Sequence, residues 1–150
     1  MNKYLIVFFE FLLYMSCNNT NTLNPSFFRH PNDNSKKVEF YIKKPIREKL
    51  NPDFIFIHGH QDSNNVGARD FVNLGVLDRY SNQGFAAAAI TQPGYWQSDG
   101  SPDYSDPIIQ NVVIAKIQKL KNKEIIDLEC VITEGIGRGA IVAGLIVAKE

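Results

Sequence analysis

The sequence predicts an α/β fold with a mostly parallel sheet and crossover helices. Three features carry that expectation: apolar β-forming runs at 53–57, 85–90 and 128–133, helical-period segments between and after them, and a glycine-bearing or long polar loop after each run. Asp53-Phe-Ile-Phe-Ile57 has no polar alternation after its aspartate, which suits a strand buried on both faces, as parallel sheets require.

The chain has 150 residues, 44% hydrophobic and 21% charged, the size and composition of one ordinary globular domain. Sixteen basic and sixteen acidic residues cancel, so no charge field marks the chain as a nucleic-acid binder. Its two cysteines, Cys17 and Cys130, make no disulfide framework, and Cys130 lies in an apolar run where a thiol acts as a small hydrophobe. Cysteines and histidines show no metal-ligand spacing, and neither a metal nor another cofactor is expected.

The first seventeen residues read as a signal peptide: Lys3, the apolar run Tyr4 to Met15, then Ser16-Cys17. A run of this length falls short of the about 20 residues that span a bilayer. The small residue before Cys17 resembles a bacterial lipoprotein processing site, which implies lipidation of Cys17 and a periplasmic or membrane-anchored product. Tyr14 and Glu10 depart from that pattern. A buried amphipathic N-terminal helix is the other reading. Residues 18–37, rich in Asn, Ser, Pro and Lys, read as an irregular lead-in.

From Val38 to Lys43, strand-forming residues end at Lys44-Pro45, an antiparallel edge strand. The strand at 53–57 runs into His58-Gly59-His60-Gln61. Val66, Phe71, Leu74, Leu77 and Tyr80 then give one helical face over 66–82, before Asn82-Gln-Gly84. Phe85-Ala-Ala-Ala-Ala-Ile90 is the next buried strand, and its alanines let helices pack close. A long polar loop follows, holding Tyr95 and Trp96. Asp106-Pro107 supplies an N-cap and a first-turn proline for a helix whose apolar stripe is Ile108, Val112, Ala115, Ile117 and Leu120. The strand at 128–133 leads into a tight turn over 134–139 and a small-residue helix over 140–149. The three core strands are expected to be parallel and adjacent, joined by right-handed crossovers.

Three loops therefore follow three strands: His58-Gly-His-Gln61, Gln92 to Gly100, and Gly135-Ile-Gly-Arg-Gly139. In order and spacing they resemble the α/β-hydrolase superfamily, closest to esterase, dienelactone-hydrolase or prolyl-oligopeptidase-like members. The third loop is similar to Gly-x-Ser-x-Gly, with Gly137 where the nucleophilic serine stands. The likeness covers residues 38–150, the N-terminal half of such a domain, so the expected fold is a partial α/β-hydrolase sheet truncated after the nucleophile elbow. It implies an oxyanion hole from the backbone N–H groups of His60 and Arg138, with His58 and Gly59 shaping the loop. Positive φ and close backbone approach are expected at Gly135 and Gly139.

Two departures from the family pattern point to an inactive hydrolase. Gly137 offers no hydroxyl or thiol for acyl transfer. The family's triad runs Ser, acid, His along the chain, whereas His30, His58 and His60 all precede the elbow and only residues 140–150 follow it. A truncated or split hydrolase, completed by a second polypeptide supplying the C-terminal half, is one expectation. A non-catalytic binding module on the same scaffold is another. Gly135-x-Gly137-x-x-Ala140 also matches a dinucleotide-binding fingerprint, although the acidic residue expected about 20 positions later would lie beyond Glu150.

Overall fold

The computed structural model describes residues 23–45, 50–62, 66–102, 107–123, 125–126 and 130–149. Residues 1–17, read above as a signal peptide ending at Cys17, and Asp106, expected as an N-cap, lie outside them. The elements are β1 (Ser26–His30), β2 (Asp33–Lys43), β3 (Leu50–Ile57), α1 (Arg69–Asn73), α2 (Val76–Asn82), β4 (Phe85–Ile90), α3 (Pro107–Lys121), β5 (Val131–Gly135) and α4 (Arg138–Val147).

β-Branched, aromatic and alanine runs build the parallel part of the sheet. β3 pairs in parallel with β4 on one side and with β5 on the other, so the three core strands are adjacent and parallel as expected. The five-stranded order is β1-β2-β4-β3-β5, with β1–β2 and β2–β4 antiparallel.

Alternation along each strand divides the core into two layers. Ile55, Ile57, Ala86, Ala88 and Ile90 face α3 and α4, meeting Ile109, Val112, Val113, Val142, Ala143 and Ile146. Phe56, Ala87, Ala89 and Tyr41 face α1 and α2, where Phe71, Val72 and Leu77 cover them. Both faces of β3 and β4 are thus covered, which is why these strands read as continuous apolar runs.

Several local expectations are corrected. The lead-in at 18–37 contains strand: β1 begins at Ser26 and β2 at Asp33, joined by the turn at Pro31-Asn32. Phe28 and His30 alternate inward along β1, and Phe28 meets Phe40 edge-on at 5.9 Å. β2 is consequently interior, with β1 at the edge. The single helix over 66–82 is two helices, because Gly75 adopts the left-handed conformation (φ 67°, ψ 17°), and Leu74 turns outward. On α3 the buried face is rotated to Ile109, Gln110, Val112, Val113, Lys116 and Leu120, leaving Ile108 exposed. Lys116 covers that offset by laying its ammonium over the rings of Phe40 and Phe28. Burial pushes its pKa down to about 7. Finally, β5 begins at Val131 and runs through Gly135, and α4 starts at Arg138 rather than Ala140.

Among the described residues, no helix is long and apolar enough to cross a membrane, and no group of His, Cys, Asp and Glu could hold a metal ion.

Candidate functional site

β5 passes into α4 through a two-residue turn. Ile136 N–H donates to the Ile57 carbonyl at 3.2 Å, and Gly139 N–H donates back to the Ile136 carbonyl at 2.9 Å. Gly137 stands between them at φ 56°, ψ −120°, and caps α4 with no side chain. The positive-φ residue of this turn is therefore Gly137 itself, not Gly135 or Gly139. Those two glycines serve close approach. A Cβ on Gly135 would lie 2.2 Å from the Gly139 carbonyl carbon, and one on Gly139 would lie 2.1 Å from the Ile57 oxygen. A Cβ on Gly137 would meet nothing within 4 Å. The spacing of Gly135 and Gly139 is thus accounted for by packing α4 against β5 and the end of β3, without a dinucleotide.

The β3 loop lies against this elbow because Ile57 and Gly135 are register partners in adjacent strands. A Cβ on Gly59 would stand 2.7 Å from the Ile136 oxygen and 3.7 Å from the Arg138 nitrogen, so the two loops touch through their backbones. The structure brings His58, Gly59, His60, Gly135, Gly137, Arg138 and Gly139 together at one end of the sheet.

His58 is buried and holds two loops. Its Nδ1 lies 2.7 Å from the Gly59 carbonyl, and its Nε2 accepts the Gln92 N–H at 2.9 Å. That pairing fixes the neutral tautomer with the proton on Nδ1. The Gln92 side-chain amide closes the ring by donating to the His58 carbonyl. Burial pushes the His58 pKa down to about 4 from 6.5, with the Gly59 carbonyl opposing weakly. Between those values the unfolded chain binds a proton that the folded one refuses. His58 therefore adds nothing against stability above about pH 6.5, and stability is lost as pH falls from there toward 4, by about 3 kcal/mol in all. Urea unfolding across this range should show that slope in the wild type and a flatter one in His58→Gln. Equal slopes would refute the assignment.

His60 sits at the surface of the same cluster. Its Nδ1 is 2.6 Å from the Tyr95 hydroxyl and 3.5 Å from Arg138 Nη1, and its Nε2 is 2.6 Å from Asp62 Oδ1. Gln61 folds the loop inward: its amide oxygen accepts the N–H groups of Val66 and Gly67, while its amide nitrogen donates to Asp70.

Sequence reasoning grouped the loop holding Gln92 and Tyr95 with this cluster, and Tyr95 with Trp96 as lining for a cleft at the strand ends, but missed Asp62 and the contacts that Gln92 and Tyr95 make with the histidines. Tyr95 lies in the long polar loop after β4, but nothing in its spacing shows that His60, 35 residues earlier, would meet it. It also missed a buried polar network under the loop. Glu39 accepts hydrogen bonds from Tyr41 and Thr91, each 2.7 Å long, and Ser98 receives the Glu39 N–H at 2.9 Å. Thr91 in turn receives the Ala68 N–H, tying the start of α1 to β4. Period-two reading of β2 places Glu39 opposite the Val38–Phe40 face, and a carboxylate alternating with buried aromatics was the available signal.

No protein-family profile and no curated protein matches the sequence. The likeness is to solved structures. An α/β serine hydrolase homologue from Coxiella burnetii superposes with a TM-score of 0.65 at 15% identity, over 92% of this chain and 61% of that one. A lidless α/β serine hydrolase from Xanthomonas campestris gives 0.62 at 15% identity, over 90% and 59%. A protein from Butyrivibrio proteoclasticus with ferulic acid bound gives 0.61 at 19% identity, over 83% and 47%. The chain spans about three fifths or less of the length of these structures. With its mixed sheet, its strand-to-helix elbow and these superpositions, the chain has a partial α/β-hydrolase fold.

Proposed function

We propose that this chain is a hydrolase-fold scaffold, related to serine esterases and peptidases, that forms no acyl-enzyme. One observation supports this reading above the others: the positive-φ position of the elbow, where the fold presents its nucleophile, holds Gly137 and no hydroxyl. Such a scaffold keeps the oxyanion donors of His60 and Arg138 for binding an acyl oxygen, while the covalent step has no attacking group. Incubation with an activated ester, followed by intact-mass analysis, should give no acyl adduct within residues 131–147. An adduct mapped there would sink the proposal.

A second polypeptide completing the sheet is favoured by a different observation. Among the described residues β5 is the terminal strand, and beside it Ile136, Ile141 and Leu145 are exposed, by 59%, 57% and 39%. An open strand edge flanked by apolar side chains is a template for strand addition. The occupant we propose is a strand-and-helix polypeptide encoded next to this chain. Mixing the two should slow amide exchange along 131–135, and Ile141→Asp with Leu145→Asp should abolish the effect. Unchanged exchange, or the lack of such a reading frame, would reject it.

A further inference from the structure

Lys116 is a buried amine whose surroundings supply no counter-charge. It is 3% exposed, and its Nζ stands 2.9 Å from the Phe40 ring centroid and 4.9 Å from that of Phe28. Ring faces attract a cation, but they offer no oxygen to an ammonium that carries three donors. The charges that act on it are Lys119 and Lys123, and both repel. The remaining charged groups on this side of the sheet lie elsewhere. His30 follows Phe28 inward on β1 and takes the Asn32 N–H on Nδ1 at 3.2 Å. Lys36, which alternates with Val38 and Phe40 along β2, is paired with Asp33 at 3.1 Å. Asp53, the register partner of Val131, faces the same way from β3, with β4 between it and β2. On α3 itself Lys121 is exposed, and α4 carries no charged residue after Arg138.

The two rings that cover Nζ belong to strands held unequally. Phe40 is on β2, which pairs with β4 as well as with β1. Phe28 is on β1, which has five residues and pairs with β2 alone. A short edge strand with one neighbour opens at lower cost than the sheet behind it. Opening of β1 lifts Phe28 from the amine and lets water reach it, while the parallel strands β4, β3 and β5 stay paired.

We infer that β1 is a releasable strand governed by Lys116, held closed while the amine is neutral and let go when the amine is charged. Opening then takes up a proton. In the closed state burial, with the two neighbouring lysines, pushes the Lys116 pKa down to about 7 from its ordinary 10.5. Between those values the open form binds a proton that the closed form lacks. Opening is therefore favoured as pH falls from 10.5 to about 7, and levels off below. With β1 released, β2 presents an unpaired row of backbone N–H and C=O groups, the kind of edge that accepts another strand.

Cleavage of the full chain after Arg29 by an arginine-specific protease reads the open fraction of β1. Sites are mapped by mass, and each rate is divided by that of an isolated peptide spanning the same site at the same pH. Between about pH 9 and about pH 8 the normalised rate should rise about tenfold, the linkage expected for uptake of one proton. Lys116→Met is neutral at both pH values and should be cut slowly at both. Lys116→Arg is charged at both and should be cut fast at both. A flat wild-type rate, or a Lys116→Met protein that keeps the tenfold rise, would overturn the inference. So would cleavage after Arg79, on α2, that matches Arg29 in both rate and pH dependence, since unfolding of the whole chain gives that pattern.

Discussion

Gly139→Ala should unfold the protein or cost it about 3 kcal/mol or more. The added Cβ would lie 2.1 Å from the Ile57 oxygen, 2.6 Å from the His58 oxygen and 2.8 Å from the Ile57 carbonyl carbon. All three are backbone atoms in β3 or its continuation, so no rotamer change can make room, and overpacking of this kind lies in the severe tail of single substitutions. Relief would require α4 to lift from β3 and Val142 and Ile146 to leave the core that they share with Ile57. Gly144→Ala is the internal control. Its Cβ would meet nothing within 4 Å, and in a helix interior alanine should stabilise by about 0.5–1 kcal/mol. Urea midpoints moving in opposite directions for the two variants are the expected result, and a Gly139→Ala protein as stable as the wild type would refute the packing described for the elbow.

The parallel core was legible because its physics is local. Residues 85–90 form β4 over the range expected, since an uninterrupted apolar run buried on both faces has no competing signal. The turn glycines were legible as a group, but their roles were not: spacing cannot say which glycine takes positive φ and which yields to a neighbouring backbone. Gly75 was missed for a related reason. Helical periodicity survives a single left-handed residue, so Val66 to Tyr80 read as one face while the chain makes two short helices. β1 was hidden because Phe28 and His30 are only two inward residues, too few to establish alternation, and the strand is created by its pairing with β2. The contacts of His60 were beyond sequence reasoning altogether, because Tyr95 and Arg138 reach it from separate loops and only the sheet register sets their distance.

Gly137→Ser should show whether a hydroxyl at the elbow is enough for turnover. The new side chain has open space, so the cost is the strained positive-φ backbone at φ 56°, ψ −120°, about 1–3 kcal/mol, and the variant should fold. It should nevertheless hydrolyse esters no faster than the wild type. The serine hydroxyl would need an acceptor to become nucleophilic, and the ring nitrogens of His60 are already engaged, Nδ1 with the Tyr95 hydroxyl and Nε2 with Asp62. An increase of 100-fold or more, the scale of about 10²–10⁴ that a positioned base supplies, would show that a base reaches position 137 after all.

Labelling with a serine-reactive phosphonate tests the central claim most directly, because the reagent requires the same activated oxygen as acylation and is read by mass alone. The wild-type chain should remain at its unmodified mass, with Gly137→Ser gaining no more than a trace of adduct. Stoichiometric phosphonylation of the wild-type chain, mapped to any residue of the elbow or of α4, would contradict the account.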